Sequence, residues 1–125
     1  MGNTFLDKGE TLTLFYTLGS PIAIWSLRYP DFGVPVSIPS PALTNHYPNT
    51  EGEWVNYYSK NDVLGYPLKT LNNDYNRYVK EDKNVRVGGF LSWWNPACHL
   101  KYWTDNDVIK PIAQSLVNVW LSVNP

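Results

Sequence analysis

Apolar positions cluster along this chain in a few short runs. Thr11–Leu18 (TLTLFYTL) is β-branched, aromatic and almost continuously apolar, and Gly19-Ser20-Pro21 ends it. A run of this kind predicts a strand, and its lack of alternation predicts burial on both faces, as in a parallel sheet. Pro21 suits the first turn of a short helix over Ile22–Leu27. From Arg28 to Gly52 no period is sustained, and Pro30, Pro35, Pro39, Pro41 and Pro48 interrupt the chain. Val34, Val36, Ile38 and Leu43 make this stretch an ordered excursion. Glu53–Ser59 (EWVNYYS) predicts a second strand, stopped by the turn signal Lys60-Asn61-Asp62. Pro67 limits any helix in Val63–Leu68, and Leu71–Tyr78 reads as a loop with one helical turn. Asn84–Phe90 (NVRVGGF) predicts a third strand ending in a glycine pair. Leu91–Thr104 then reads as a loop.

The last segment has the clearest period. Val108, Ile109, Ile112, Leu116, Val119 and Trp120 recur at steps of three and four, which predicts a helix over about 106–122. Asp105 and Asp107 fall where a helix start favours negative charge, and Pro111 belongs in the first turn or at a slight kink. Strand, connection, strand, connection, strand, helix is the order of an α/β domain: a three-stranded parallel sheet with right-handed crossovers and a C-terminal helix. The whole chain, 1–125, reads as one domain.

Composition narrows the function. Ten basic and eleven acidic residues give a net charge of −1, which removes the electrostatic footprint of a general nucleic-acid binder. No apolar run approaches the ~20 residues of a membrane span. A single cysteine, Cys98, excludes an intrachain disulfide framework, and with two histidines it makes a closed zinc site implausible. The unusual figure is aromatic content, 15%, with six Trp and nine Tyr, much of it in loops.

Parallel sheets carry their functional groups at the carboxyl ends of the strands. Asp62 follows the second predicted strand and His99 lies in the loop after the third. An imidazole can take a proton from a nucleophile while a fixed carboxylate holds its tautomer. Asp62 is also an ordinary turn residue, and His99 an aromatic-loop histidine beside Trp94, Tyr102 and Trp103. Cys98 adjoins His99, but neighbouring side chains diverge along an extended chain. Ser20 reads as a turn or helix-cap residue, His46 as a surface residue, and Asp105 and Asp107 as helix-start residues. Trp93 and Trp94 either plug the core or line a substrate pocket.

Taken in order, TLGSP after an apolar strand, WVNYYSKNDVLGYPL, a further strand, HLKYW and a terminal helix resemble the C-terminal half of lipase- or esterase-like α/β-hydrolases, from about Thr11 to Leu121. The resemblance implies that the three strands are the last three of that family's sheet, with Asp62 the triad acid and His99 the base. It implies a serine hydrolase acting by acyl transfer on an ester or lipid-like substrate, with no metal or organic cofactor. The family's nucleophile elbow, G-x-S-x-G, is missing, and Ser20 has Leu18 and Ile22 where the glycines belong. The chain is therefore expected to be the acid–base fragment of such an enzyme, inactive by itself. It is also expected to pair through the 11–18 strand edge, with a missing N-terminal half or as a homo-oligomer. The competing expectation is a non-catalytic module that binds ligands or proteins through its aromatic loops.

Overall fold

The computed structural model describes residues 11–29, 34–87 and 96–124. Three strands, β1 (Leu14–Leu18), β2 (Glu53–Tyr58) and β3 (Glu81–Asn84), form one parallel sheet in the order β1-β2-β3. Register runs Tyr16↔Val55↔Glu81, Thr17↔Asn56↔Asp82 and Leu18↔Tyr57↔Lys83. Side chains alternate across a strand, so successive rows serve opposite faces.

One face carries Val55, Tyr57 and the partly buried Tyr16 and Leu18, packed with Val85, Val87, Tyr102, Val108 and Ile112. Tyr102 comes from a 3₁₀ helix over Pro96–Thr104, and Val108 and Ile112 from the C-terminal helix. The other face carries Trp54 and Phe15 against Ala23, Leu68, Tyr75 and Val79. Here the cover is α1 (Ile22–Arg28) and α3 (Asn73–Tyr78), while α2 (Pro41–His46) sits in the proline-rich excursion. This is an α/β architecture with helices on both faces.

The central strand is the buried one. Trp54, Val55, Asn56 and Tyr57 are each 3% exposed or less. By contrast β1 is only partly buried, with Thr17 alone fully inside. Its apolar run had predicted burial on both faces, but β1 is an edge strand, and among the described residues nothing pairs along its outer side.

The third strand corrects the sequence reading. It spans Glu81–Asn84, not Asn84–Phe90; Val85 and Val87 follow it as buried chain, and 88–90 lie outside the described residues. Its four residues are all polar, so no hydrophobic pattern announces them. They hold their place through side-chain bonds: Thr17 Oγ1 donates to Asn56 Oδ1 (2.8 Å) and Asn56 Nδ2 to Asp82 Oδ1 (2.8 Å). This polar row crosses the whole sheet, and Trp54 Nε1 donates into it at Thr17 (3.3 Å).

The final helix, α4, spans Asn106–Val123. Asp105 caps it by accepting from the Asp107 N–H (2.8 Å), as expected of a helix start. Pro111 falls inside the helix, beyond its first turn. No helix among the described residues is long and apolar enough to cross a membrane.

Candidate active site at the carboxyl end of the sheet

All three strands end toward the same rim, and the segments that follow them meet there. After β1 comes Gly19, whose φ of +55° lets the chain turn sharply away, with its N–H bonded to the Tyr57 carbonyl (2.8 Å). After β2 comes a tight turn in which the Asp62 N–H donates to the Ser59 carbonyl (2.9 Å) and the Asn61 N–H to Ser59 Oγ (3.3 Å). Following β3, the 3₁₀ helix brings His99 and Tyr102 to the rim.

Asp62 and His99 are brought together. His99 Nδ1 lies 3.0 Å from Asp62 Oδ2. The Tyr102 hydroxyl donates to that same oxygen (3.1 Å), and its ring meets the imidazole edge-on, centroids 5.8 Å apart at 77°. In a 3₁₀ helix, side chains three apart eclipse one another, which lets His99 and Tyr102 reach one carboxylate. The other oxygen, Oδ1, accepts from the Leu64 N–H (3.0 Å) in an Asx turn. Asp62 uses its two oxygens differently: Oδ1 builds the turn and Oδ2 faces the imidazole.

Burial divides the pair. The Asp62 side chain is 2% exposed and the His99 side chain 34%. An ionised carboxylate offers only lone pairs, so the proton in their bond belongs to Nδ1. In a neutral imidazole so placed the lone pair is on Nε2, the nitrogen turned from the carboxylate. The arrangement can take up a proton at Nε2 and stabilise the resulting imidazolium with a fixed, desolvated charge.

Two glycines let the groups approach. A Cβ on Gly19 would collide with Asp62 Oδ2 and come within 2.6 Å of His99 Cε1. A Cβ on Gly65 would lie 3.0 Å from Gly19 Cα and 3.3 Å from both Asp62 Oδ2 and the Tyr102 hydroxyl. A cleft of about 390 Å³ opens on the Asp62 turn, walled by Tyr58–Val63 and Gly65–Pro67.

The remaining candidates fall elsewhere. Trp93 and Trp94 lie outside the described residues. Ser20 Oγ accepts from the Ile22 N–H (3.4 Å) ahead of α1, the turn role expected of it. His46 occupies the exposed end of α2. Sequence reasoning placed Tyr102 beside His99 but gave it no role; the signal was the three-residue step from His99 within HLKYW. The Leu91–Thr104 stretch, expected to be a loop, is helical from Pro96, and that helix creates the step. Among the described residues, no group of three or more His, Cys, Asp or Glu is placed to hold a metal ion.

A second carboxylate cluster stands at the opposite end of β2. Glu53 Oε1 accepts from the Tyr16 hydroxyl (2.7 Å) and from Ser115 Oγ (2.5 Å), and Oε2 pairs with Lys80 Nζ (2.6 Å). Burial alone would raise the Glu53 pKa, but the bonds from Lys80, Ser115 and Tyr16 outweigh it and hold the carboxyl down at about 2. Burial, reinforced by Glu53, pushes the Tyr16 phenol well above its ordinary range even though its contact with Ser115 works the other way.

Comparison of the chain with known protein families, with curated proteins and with solved structures finds no match.

Proposed function

We propose that Asp62 and His99 are the acid and base of a nucleophilic acyl-transfer site of the lipase- or esterase-like α/β-hydrolase kind. Its nucleophile is a residue from outside these 125. The observation that carries the reading is the 3.0 Å contact between a buried carboxylate and a partly exposed imidazole at the carboxyl rim of a parallel sheet. The order of TLGSP, the Asp62 turn and HLKYW along the chain supports it.

In this reading a hydroxyl nucleophile gives its proton to His99 Nε2 as it attacks the ester carbonyl. Asp62 stabilises the imidazolium, which returns the proton to the departing alcohol. The nucleophile arrives on a strand added along β1. That edge adjoins a trough of about 440 Å³ lined by Thr11–Leu14 and Leu116. Beside it α4 presents Ile109, Leu116 and Trp120, exposed at 43%, 56% and 62%, along one stripe of the helix. An added strand with its following helix would cover both features.

The test restores the nucleophile. Joined to a segment carrying G-x-S-x-G, the protein is expected to take a fluorophosphonate label and to hydrolyse p-nitrophenyl esters. His99→Ala should lower turnover on the order of 10⁴-fold without unfolding the chain. A folded, complete protein that stays unlabelled, or a His99→Ala variant of undiminished activity, refutes the assignment.

A further inference from the structure

We infer that Asn56 and Asp82 are positioning residues: together they seat the turn that carries Asp62 and so set its carboxylate against His99. The consequence for catalysis rests on the acyl-transfer reading, whereas the seating rests on bonds independent of it. Asparagine is a poor choice for a central strand, and burying its amide costs free energy unless the polar atoms are paired. Asn56 is 0% exposed and pairs them. Oδ1 accepts from the Thr17 hydroxyl (2.8 Å), while Nδ2 donates to the Tyr66 carbonyl (2.9 Å) and to Asp82 Oδ1 (2.8 Å). Both atoms facing Nδ2 are acceptors, which dictates the way the amide points.

The Tyr66 bond spans ten residues and encloses Asp62. Inside that span the turn is knit to itself. The Asp62 N–H donates to the Ser59 carbonyl, the Leu64 N–H to Asp62 Oδ1 and the Gly65 N–H to the Asp62 carbonyl (3.3 Å). These local bonds give the turn its shape, not its tilt over the rim. Tilt is set beyond the turn, where Asn56 holds the Tyr66 carbonyl and the Leu68 and Lys69 N–H groups donate to the two oxygens of Asp82 (2.9 Å each). Leu68 is fully buried and anchors the same stretch. Held there, the chain lays Gly65 so close that a Cβ on it would stand 3.3 Å from Asp62 Oδ2, the oxygen facing His99.

A merely structural amide would stiffen the sheet and leave the imidazole alone. Two substitutions separate these roles. Thr17→Val removes the hydroxyl that ties Asn56 to β1 and keeps both Nδ2 bonds, so it weakens the sheet without releasing the turn. Asp82→Asn keeps the shape of the side chain but puts a donor where an oxygen now accepts from a turn-side amide, so it loosens the tether at a partly exposed position.

The Nδ1 proton of His99, followed in proton–nitrogen NMR spectra of the 125-residue chain, tests the assignment; His46 is the one other histidine. In the parent chain and in Thr17→Val its signal is expected downfield and protected from exchange by the bond to Asp62. Asn56→Ala and Asp82→Asn should each move it upfield and speed its exchange with water about tenfold or more. Asp82→Asn carries the test alone if the buried Asn56 substitution does not fold. With the nucleophile restored, the folded variants should lose about tenfold or more in kcat at unchanged KM, the mark of a displaced acid–base pair. The proton signal is read without turnover, so it stands or falls apart from hydrolysis. An unaltered Nδ1 signal in the folded Asn56 and Asp82 variants, or the same loss in Thr17→Val, overturns the positioning role.

Discussion

Two carboxylates close the two ends of the central strand, and each gathers three groups. At the amino end Glu53 takes the Tyr16 hydroxyl, Ser115 Oγ and Lys80 Nζ. At the carboxyl end Asp62 takes the Leu64 N–H and the Tyr102 hydroxyl and faces His99 Nδ1. The inventories match in number, and the side chains are 13% and 2% exposed, Asp62 the more deeply buried. They differ in what lies beyond the donors. The groups on Glu53 come from β1, α4 and the approach to β3, so the cluster ties those elements to β2. One group on Asp62, the imidazole, has a second nitrogen, on a side chain one-third exposed. Counting hydrogen bonds does not distinguish a structural carboxylate from a chemical one. On the acyl-transfer proposal the distinction is that Asp62's partner is an imidazole with a second titratable nitrogen.

Glycines offer the largest way to sharpen this contrast, since each end has one that admits no side chain. Gly19→Ala would drive a methyl into Asp62 Oδ2 and His99, at a φ of +55° that itself costs an alanine about 1 kcal/mol. Gly52→Ala would set a methyl 2.6 Å from the Thr13 carbonyl and 2.8 Å from Pro39 Cδ, against backbone at the other end. Urea unfolding should show each variant less stable by about 3 kcal/mol. With the nucleophile restored, activity per folded molecule should collapse in Gly19→Ala and survive in Gly52→Ala. Equal activities would mean that the two ends are alike after all.

Acid offers the next largest effect. The Glu53 pKa is held at about 2 in the folded chain against an ordinary value of 4.5, so between those values the unfolded state binds more protons. The stability this contributes is present above about pH 4.5 and fades as pH falls toward 2. It amounts to about 2 kcal/mol, allowing for an exposed Lys80. Glu53→Gln should lose about that much at pH 7 and flatten the acid limb of the urea midpoint, while leaving His99-dependent turnover untouched. An unchanged acid limb would show that the cluster does not hold the ends together.

The contrast also explains what was legible in the sequence. β1, β2 and α4 announced themselves because each carries an apolar pattern, although β1 buries its pattern only in part and α4 leaves Ile109, Leu116 and Trp120 exposed, and Asp62 and His99 stood out because their place in the strand order is enough to bring them to one rim. Strand β3 was misplaced toward Val85 and Val87 because those are the buried residues. What makes Glu81–Asn84 a strand is the bonding of Asp82 to Asn56 and to two distant amides, and no local pattern encodes that. Glu53 went unnoticed for the same reason: its partners come from 37, 27 and 62 residues away. Tyr102 was within reach, because a histidine and a tyrosine three apart share a side of a 3₁₀ helix. Seeing it required knowing that the aromatic loop is helical.

The smallest effect is the most discriminating, because it removes one hydroxyl from each end. Tyr102→Phe and Tyr16→Phe keep rings that pack in the same core cluster and delete the phenol donor to Asp62 and Glu53, respectively. Each should cost about 1 kcal/mol in stability, the usual net value of one such bond. Only the first should slow the restored enzyme, about tenfold in kcat with KM unchanged. The hydroxyl holds the oxygen that orients His99 and touches no substrate, so its loss appears in the chemical step rather than in binding. If both variants slow the reaction equally, the effect travels through the shared core and not through Asp62. If neither does, the Leu64 N–H and the turn already fix the carboxylate, and Tyr102 is a packing residue whose hydroxyl happens to end beside it.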